Sequence, residues 1–331
     1  MLEVSAPKPG NVNRYHDFSD ARFEDFLLSA VAIRPAMERA ERAQVGEIIW
    51  RAICYTRRLV FSNTNLGMVL LLAPLAKACF GAAHTLHPEM DDPAALEALQ
   101  KSLADVLARL TVEDARRAYA AIRLAQPSGL GKDLQADVAN EPTITLFKAM
   151  ALAQERDAIA REYVTNFAIS FGIGYPALKA AWQSSQNLQA SIVQAYLTIL
   201  AQVPDTLIVR KRGVKVARQV SSWAEEVLAM GGALSTQGKR ELQELDWKLR
   251  DRNHTLNPGT TADLVTAALF LLFILSPPGL SCYRLQVGPQ KRKDREYERT
   301  ASSLSRPGRE SGRSRKQSGT GAAMHPKLGF Y

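Results

Sequence analysis

Between Asn257 and Asp263 the chain reads Asn-Pro-Gly-Thr-Thr-Ala-Asp, a turn, two hydroxyls and a carboxylate set directly ahead of the apolar run from Leu264 to Leu275. Two chemistries fit that pattern. Thr260 and Asp263, three apart, have the spacing of a capping box that satisfies the free N–H groups of a helix start, with Pro258-Gly259 supplying the turn. The same groups at a helix N-terminus can instead hold phosphate, because the N–H donors and the helix dipole favour an anion there, or a metal through the Asp263 carboxylate.

Four other polar clusters precede or interrupt apolar segments. Pro7-Lys8-Pro9-Gly10-Asn11-Val12-Asn13-Arg14 presents a lysine, two amides and an arginine on a proline-stiffened backbone, groups suited to phosphate oxygens or to an N-terminal turn. Ser62-Asn63-Thr64-Asn65-Leu66-Gly67 opens a helix apolar enough to be buried, and its amides and hydroxyls can cap it or hold a sugar and phosphate. In Glu155 to Glu162, Asp157 and Arg161 have i, i+4 spacing, and Glu155 and Glu162, seven apart, would share a helix face that could bind Mg²⁺. Asp205 stands at a proline-led helix start that runs to Arg210-Lys211-Arg212-Gly213, as dipole complementation or as chemistry. Asp137 and Glu141 flank the start of the segment after Pro142.

Familiar signatures fail. Gly129-Leu130-Gly131-Lys132-Asp133 lacks the first glycine and the hydroxyl of a P-loop. Gly172-Ile173-Gly174 has no strand before it, so a dinucleotide fingerprint is unsupported. His84 and His87, beside Pro88, read as a polar helix end rather than as metal ligands.

The elements that must position these clusters are helices. Phe23, Phe26, Leu27, Ala30 and Val31 form an i, i+3, i+4, i+7 stripe; Leu96, Leu99, Leu103, Val106, Leu107 and Leu110 repeat it, as do Ile192, Tyr196, Ile199 and Leu200. No alternating run rich in Val, Ile and Thr appears. The pattern predicts an all-α fold, one multi-helix domain over 1–276, with helices near 20–32, 34–61, 66–81, 93–109, 111–125, 142–171, 175–182, 187–202, 206–230, 236–250 and 261–275.

Residues 277–331 read as a low-complexity basic tail that cannot bury a core and is expected to be disordered. Of 42 basic and 33 acidic residues, 12 and 4 fall in 281–331, which leaves 30 and 29 for the rest. Contact with nucleic acid is therefore expected only through the tail. Three separated cysteines, Cys54, Cys79 and Cys282, suggest neither a zinc site nor a disulfide scaffold and fit a cytoplasmic setting. No signal peptide is read at the N-terminus, and the longest apolar runs are shorter than the roughly 20 residues of a membrane span.

Together, Pro7-Lys8-Pro9-Gly10, Asn63-Thr64-Asn65-Leu66-Gly67, Asp205 through Arg210 and Gly213, and Asn257-Pro258-Gly259 through Asp263 resemble the triphosphoribosyl-dephospho-coenzyme A synthase family over roughly residues 1–275. The resemblance implies a mostly helical transferase that moves the triphosphoribosyl group of ATP to 3′-dephospho-coenzyme A and releases adenine. By analogy, Asp205, Glu155 and Asp263 would do acid/base work or hold Mg²⁺. Lys8 and Arg210 would contact phosphate, and Asn11, Asn63, Asn65, Asn257, Thr260 and Thr261 would position nucleotide. Members established with citrate lyase tend to carry His-Lys where this chain has Asn65-Leu66, so a related transfer to another acceptor in cofactor or one-carbon metabolism is the alternative within the class. A non-catalytic helical module that binds nucleotide or RNA is the alternative outside it.

Overall fold

The computed structural model describes residues 1–83, 85, 92–126 and 138–275. Leu66–Ala82 (α5) and Gly259–Leu275 (α15) are apolar over most of their surface, with Lys77 and Asp263 as their charged residues; most of their side chains are buried, and the two helices pack against each other. Around them stand Leu2–Ser5 (α1), Phe23–Ala32 (α2), Arg34–Met37 (α3), Val45–Arg57 (α4), Asp92–Ala108 (α6), Val112–Ala125 (α7), Leu146–Ala153 (α8) and Ala158–Val164 (α9). A π-helical turn, Ser170–Gly174, leads into Tyr175–Ser185 (α10), then Leu188–Gln202 (α11), Thr206–Arg212 (α12), Val214–Ala229 (α13) and Thr236–Leu249 (α14). Among the described residues there is no strand, only an isolated bridge between Asn13 and His16. The all-α expectation holds, and these helices share one apolar core.

The pairings follow from amphipathic faces. α4 buries Ile48, Ile49, Ala52 and Ile53 and lies along α7, whose start is a capping box between Thr111 and Asp114. The other oxygen of Asp114 accepts the Gly46 N–H at 2.8 Å, and a side chain at position 46 would strike the Asp114 backbone, so the two helices meet at van der Waals contact. α11 is clasped by α10 and α13 and touches α15. No single helix among the described residues is long and apolar enough to cross a membrane.

Three expected helices are broken, each for a local reason. The segment read as 34–61 is α3 and α4 with turns between. The segment read as 142–171 breaks at Asp157, which caps α9 instead of continuing α8, and again at Asn166 and Phe167, both left-handed at φ 52° and 61°. The segment read as 206–230 divides at Gly213, where φ is 85°. Asp137, the Gly129–Asp133 loop, His84, His87, Cys282 and the tail 277–331 lie outside the described residues.

Candidate active site

The starts of α5 and α15 lie side by side. A Cβ built on Gly67 would sit 2.0 Å from the Asp263 carboxylate, so only glycine lets the first turn of α5 meet that side chain. Two shorter helices are laced to the same place. Asp205, the N-cap of α12, takes the Leu207 and Ile208 N–H groups on Oδ1, at 2.9 and 3.1 Å, and the N–H and hydroxyl of Thr261 on Oδ2, at 2.7 and 2.8 Å. Thr206 donates to Thr260 at 3.2 Å and accepts the Ala158 N–H of α9 at 3.2 Å. Four helix starts are thus tied together, and their N–H ends carry partial positive charge.

They frame a cavity of about 1030 Å³, at the upper limit of ordinary ligand pockets, which run to roughly 1,000 Å³. Its polar lining includes Glu3, Asn11, Asn63, Asn65, Asp157, Arg210, Asn257, Thr260 and Asp263, and its apolar lining includes Tyr119, Ile122, Leu146, Met150 and Ile159.

The candidate carboxylates part company here. Asp205 is buried, and its four acceptor positions are filled by four protein donors, so it organises α12 and α15 and has none left for a metal or a substrate proton. Burial pushes its acidity down while Thr261 and Ile208 work the other way. Glu155 lies exposed in the turn before α9 and does not line the cavity, and Glu162 points into the core, so the expected pair on one helix face does not form. Asp263 lines the cavity, half-buried, with no hydrogen bond from the described residues. Its pKa is well above the usual carboxylate range, first from burial, then from the nearby charges of Glu3, Asp205 and Asp157, against the pull of Arg210. The capping box expected between Thr260 and Asp263 is absent because α15 already begins at Gly259 and Thr260 is engaged by Thr206.

The basic groups also separate. Lys8 is wholly buried and off the cavity wall; its ammonium bonds the Glu3 carbonyl at 2.5 Å and the Glu3 carboxylate at 2.8 Å, so it holds Glu3 in place and does not reach phosphate. Arg210 does face the cavity and pairs with Asp157 at 2.9 Å, displacing the i, i+4 pair expected with Arg161; its Nε has no partner among the described residues. Lys211 lines the same cavity and donates to the His254 carbonyl at 3.0 Å.

Among the amides, Asn11 is locked to Tyr196 at 2.9 Å, Asn65 donates to Thr56 at 2.9 Å, and Asn63 takes the Leu66 N–H at 3.2 Å. Asn257 Oδ1 is buried without a partner among the described residues. Thr261 is spent on Asp205 and does not line the cavity. Glu3, Gly67, Asp157, Thr206, Lys211 and His254 belong to the site yet were not among the sequence candidates for it. Gly67 stood inside a motif, but its reason, a carboxylate from 196 residues away, is tertiary.

Helix starts meeting a free, charge-repelled carboxylate in one deep cavity define an all-helical protein of ligand-transforming type. The family model described as ATP:dephospho-CoA triphosphoribosyl transferase (CitG) matches residues 1–280, and the chain belongs to that family. A 2-(5''-triphosphoribosyl)-3'-dephosphocoenzyme-A synthase described from Pseudomonas putida is 35% identical over 105 residues, 32% of this chain and 37% of the relative. Its counterpart from Pseudomonas paraeruginosa is 36% identical over 98 residues, 30% of this chain and 33% of the relative. These matches therefore span about a third of the curated relatives' length. A crystal structure described as a triphosphoribosyl-dephospho-coA synthase from Archaeoglobus fulgidus superposes with TM-score 0.59 at 28% identity, covering 77% of this chain and 99% of that one.

Proposed function

We propose that this chain transfers the triphosphoribosyl group of ATP to the ribose 2′-hydroxyl of 3′-dephospho-coenzyme A and releases adenine, in the cytoplasm. The observation that carries the reading is Asp263, a carboxylate with no hydrogen-bond donor among the described residues and a raised pKa, set where the starts of α5 and α15 face one cavity. Those N–H ends, with Arg210 and Lys211, suit a triphosphate. The apolar lining suits the long arm of the acceptor.

Breaking an N-glycosidic bond puts positive charge on the sugar, which the ring of carboxylates around Asp263 stabilises. A carboxylate whose pKa is raised above the ordinary range is, when ionised, a stronger base and is suited to take the acceptor hydroxyl's proton. Among the described residues no group of three His, Cys, Asp or Glu is arranged to hold a metal. Asp157, with acceptor positions left beyond the Ile159 N–H and Arg210, fits a magnesium ion carried in on the triphosphate, which needs only one or two protein carboxylates and would neutralise phosphate charge.

The test is adenine release from ATP and Mg²⁺ by purified protein, with and without 3′-dephospho-coenzyme A. Release that depends on this acceptor supports the reading. Release that ignores it points to another acceptor, and no release from a folded protein that binds nucleotide rejects the transferase.

A further inference from the structure

Adenine is a poor leaving group unless a ring nitrogen is protonated as the bond breaks, and in the transfer proposed above Asp263 takes a proton instead of giving one. His254 has features that its loop does not need for folding. It lies on the cavity wall, its φ is +50°, a conformation that non-glycine residues rarely adopt, and its ring is stacked on Phe18 with centroids 3.8 Å apart and planes 15° from parallel. Nδ1 is buried with no partner, and no described residue bonds either ring nitrogen.

The backbone around it is held independently of the imidazole. Its N–H donates to the Asp251 carbonyl at 3.0 Å, Lys211 holds its carbonyl, and the Asp251 carboxylate collects the N–H groups of Thr255 and Leu256 at 2.7 and 3.1 Å. The turn is thus fastened on both sides, while among the described residues the ring makes one stacking contact, with Phe18. A flat aromatic shelf with unused ring nitrogens is the arrangement that meets a purine edge.

We propose that His254 is the acid that protonates the departing purine, an inference that rests on the N-ribosyl transfer put forward above. As the C1′–N9 bond of ATP breaks, its electron pair goes to the purine, a protonated His254 delivers its N–H proton to a ring nitrogen, and adenine leaves neutral. The acceptor oxygen bonds to C1′ and its proton goes to Asp263. One proton leaves His254 and one arrives at Asp263, and exchange with solvent restores both. Imidazole suits the task because its ring N–H can donate a proton and the same nitrogen can take one back. Phe18 is the positioning residue.

The test compares two donors in the presence of Mg²⁺ and 3′-dephospho-coenzyme A: ATP, and the 5′-triphosphate of 4-nitrophenyl riboside, whose phenolate departs without a proton. His254→Asn is the first variant, because asparagine tolerates the left-handed backbone, and His254→Gln is the second. With an unchanged melting temperature, adenine release is expected to fall by about 10²-fold or more, the usual worth of a general acid. Nitrophenolate release should stay within roughly threefold, under 1 kcal/mol of barrier. Equal losses on both donors, or no loss on ATP, overturn the role of His254 while the transferase stands. A wild-type protein that cleaves neither donor overturns the transferase and this inference together.

Discussion

Two aspartates that look interchangeable in sequence have opposite employment. Asp205 is surrounded by donors, and removing it strands the Leu207, Ile208 and Thr261 groups in a buried place. Asp205→Ala is therefore expected to lower unfolding free energy by on the order of 3 kcal/mol in urea titrations, since each stranded buried group costs about 1–3 kcal/mol before relaxation. Loss of activity in that variant reports on folding. Asp263 is surrounded by like charge, so Asp263→Asn removes repulsion and should leave stability within about 1 kcal/mol. Adenine release should nevertheless drop by roughly 10²-fold or more, as loss of a general base does. The base must be ionised to act, and burial raises its pKa, so the acid limb of kcat/KM is expected above the ordinary carboxylate range, with activity lost as pH falls through it. A limb at the usual carboxylate position, or one that persists in Asp263→Asn, removes Asp263 from that role.

Elements set these side chains by how closely their ends approach. Gly67 is where α5 yields to Asp263, and Gly67→Ala must push the carboxylate away, because the added methyl would overlap Oδ2. A displacement of that kind should lower kcat by about 10²-fold while the KM for ATP moves little. Equal changes in both would assign Gly67 to nucleotide binding. A second element effect lies behind the site, where Glu162 of α9 takes the N–H groups of Ile169 and Ser170 and the Ser170 hydroxyl at the mouth of the π-helical turn. Burial pushes Glu162 from 4.5 up to about 7 despite those donors. The folded state then holds this proton more tightly than the unfolded chain, so the group's contribution is full below about 4.5 and is lost as pH rises to about 7. Unfolding free energies from urea titrations should fall across that window by on the order of 3 kcal/mol, and Glu162→Gln should flatten the profile. The helices were legible in the sequence because stripes such as Leu96 to Leu110 need only local spacing, whereas the breaks at Asp157 and Asn166 were not, since Asp157 is turned aside by Arg210 from 53 residues away.

Across the whole molecule the polar clusters were readable as a set because polar groups at the starts of buried helices are costly unless used. Their division of labour was hidden. Lys8 looked like a phosphate ligand until Glu3 proved to be its partner, Glu155 looked like half of a metal pair until the turn before α9 put it outside, and nothing in the sequence showed that Phe18 and His254 would meet. Charge offers a last separation at this scale. The family match ends at residue 280, where basic and acidic residues nearly balance, and 12 of the 42 basic side chains follow it. A chain ending at residue 280 is therefore expected to keep its rate of adenine release within roughly twofold, a barrier change below 1 kcal/mol. Any affinity of the full chain for single-stranded RNA should vanish in the shortened one along with its salt dependence, because neutralising phosphates releases counterions and only the tail carries the charge to do so. If shortening abolished adenine release instead, the tail would belong to the catalytic unit, and the excess positive charge would have to be counted as part of the triphosphate site.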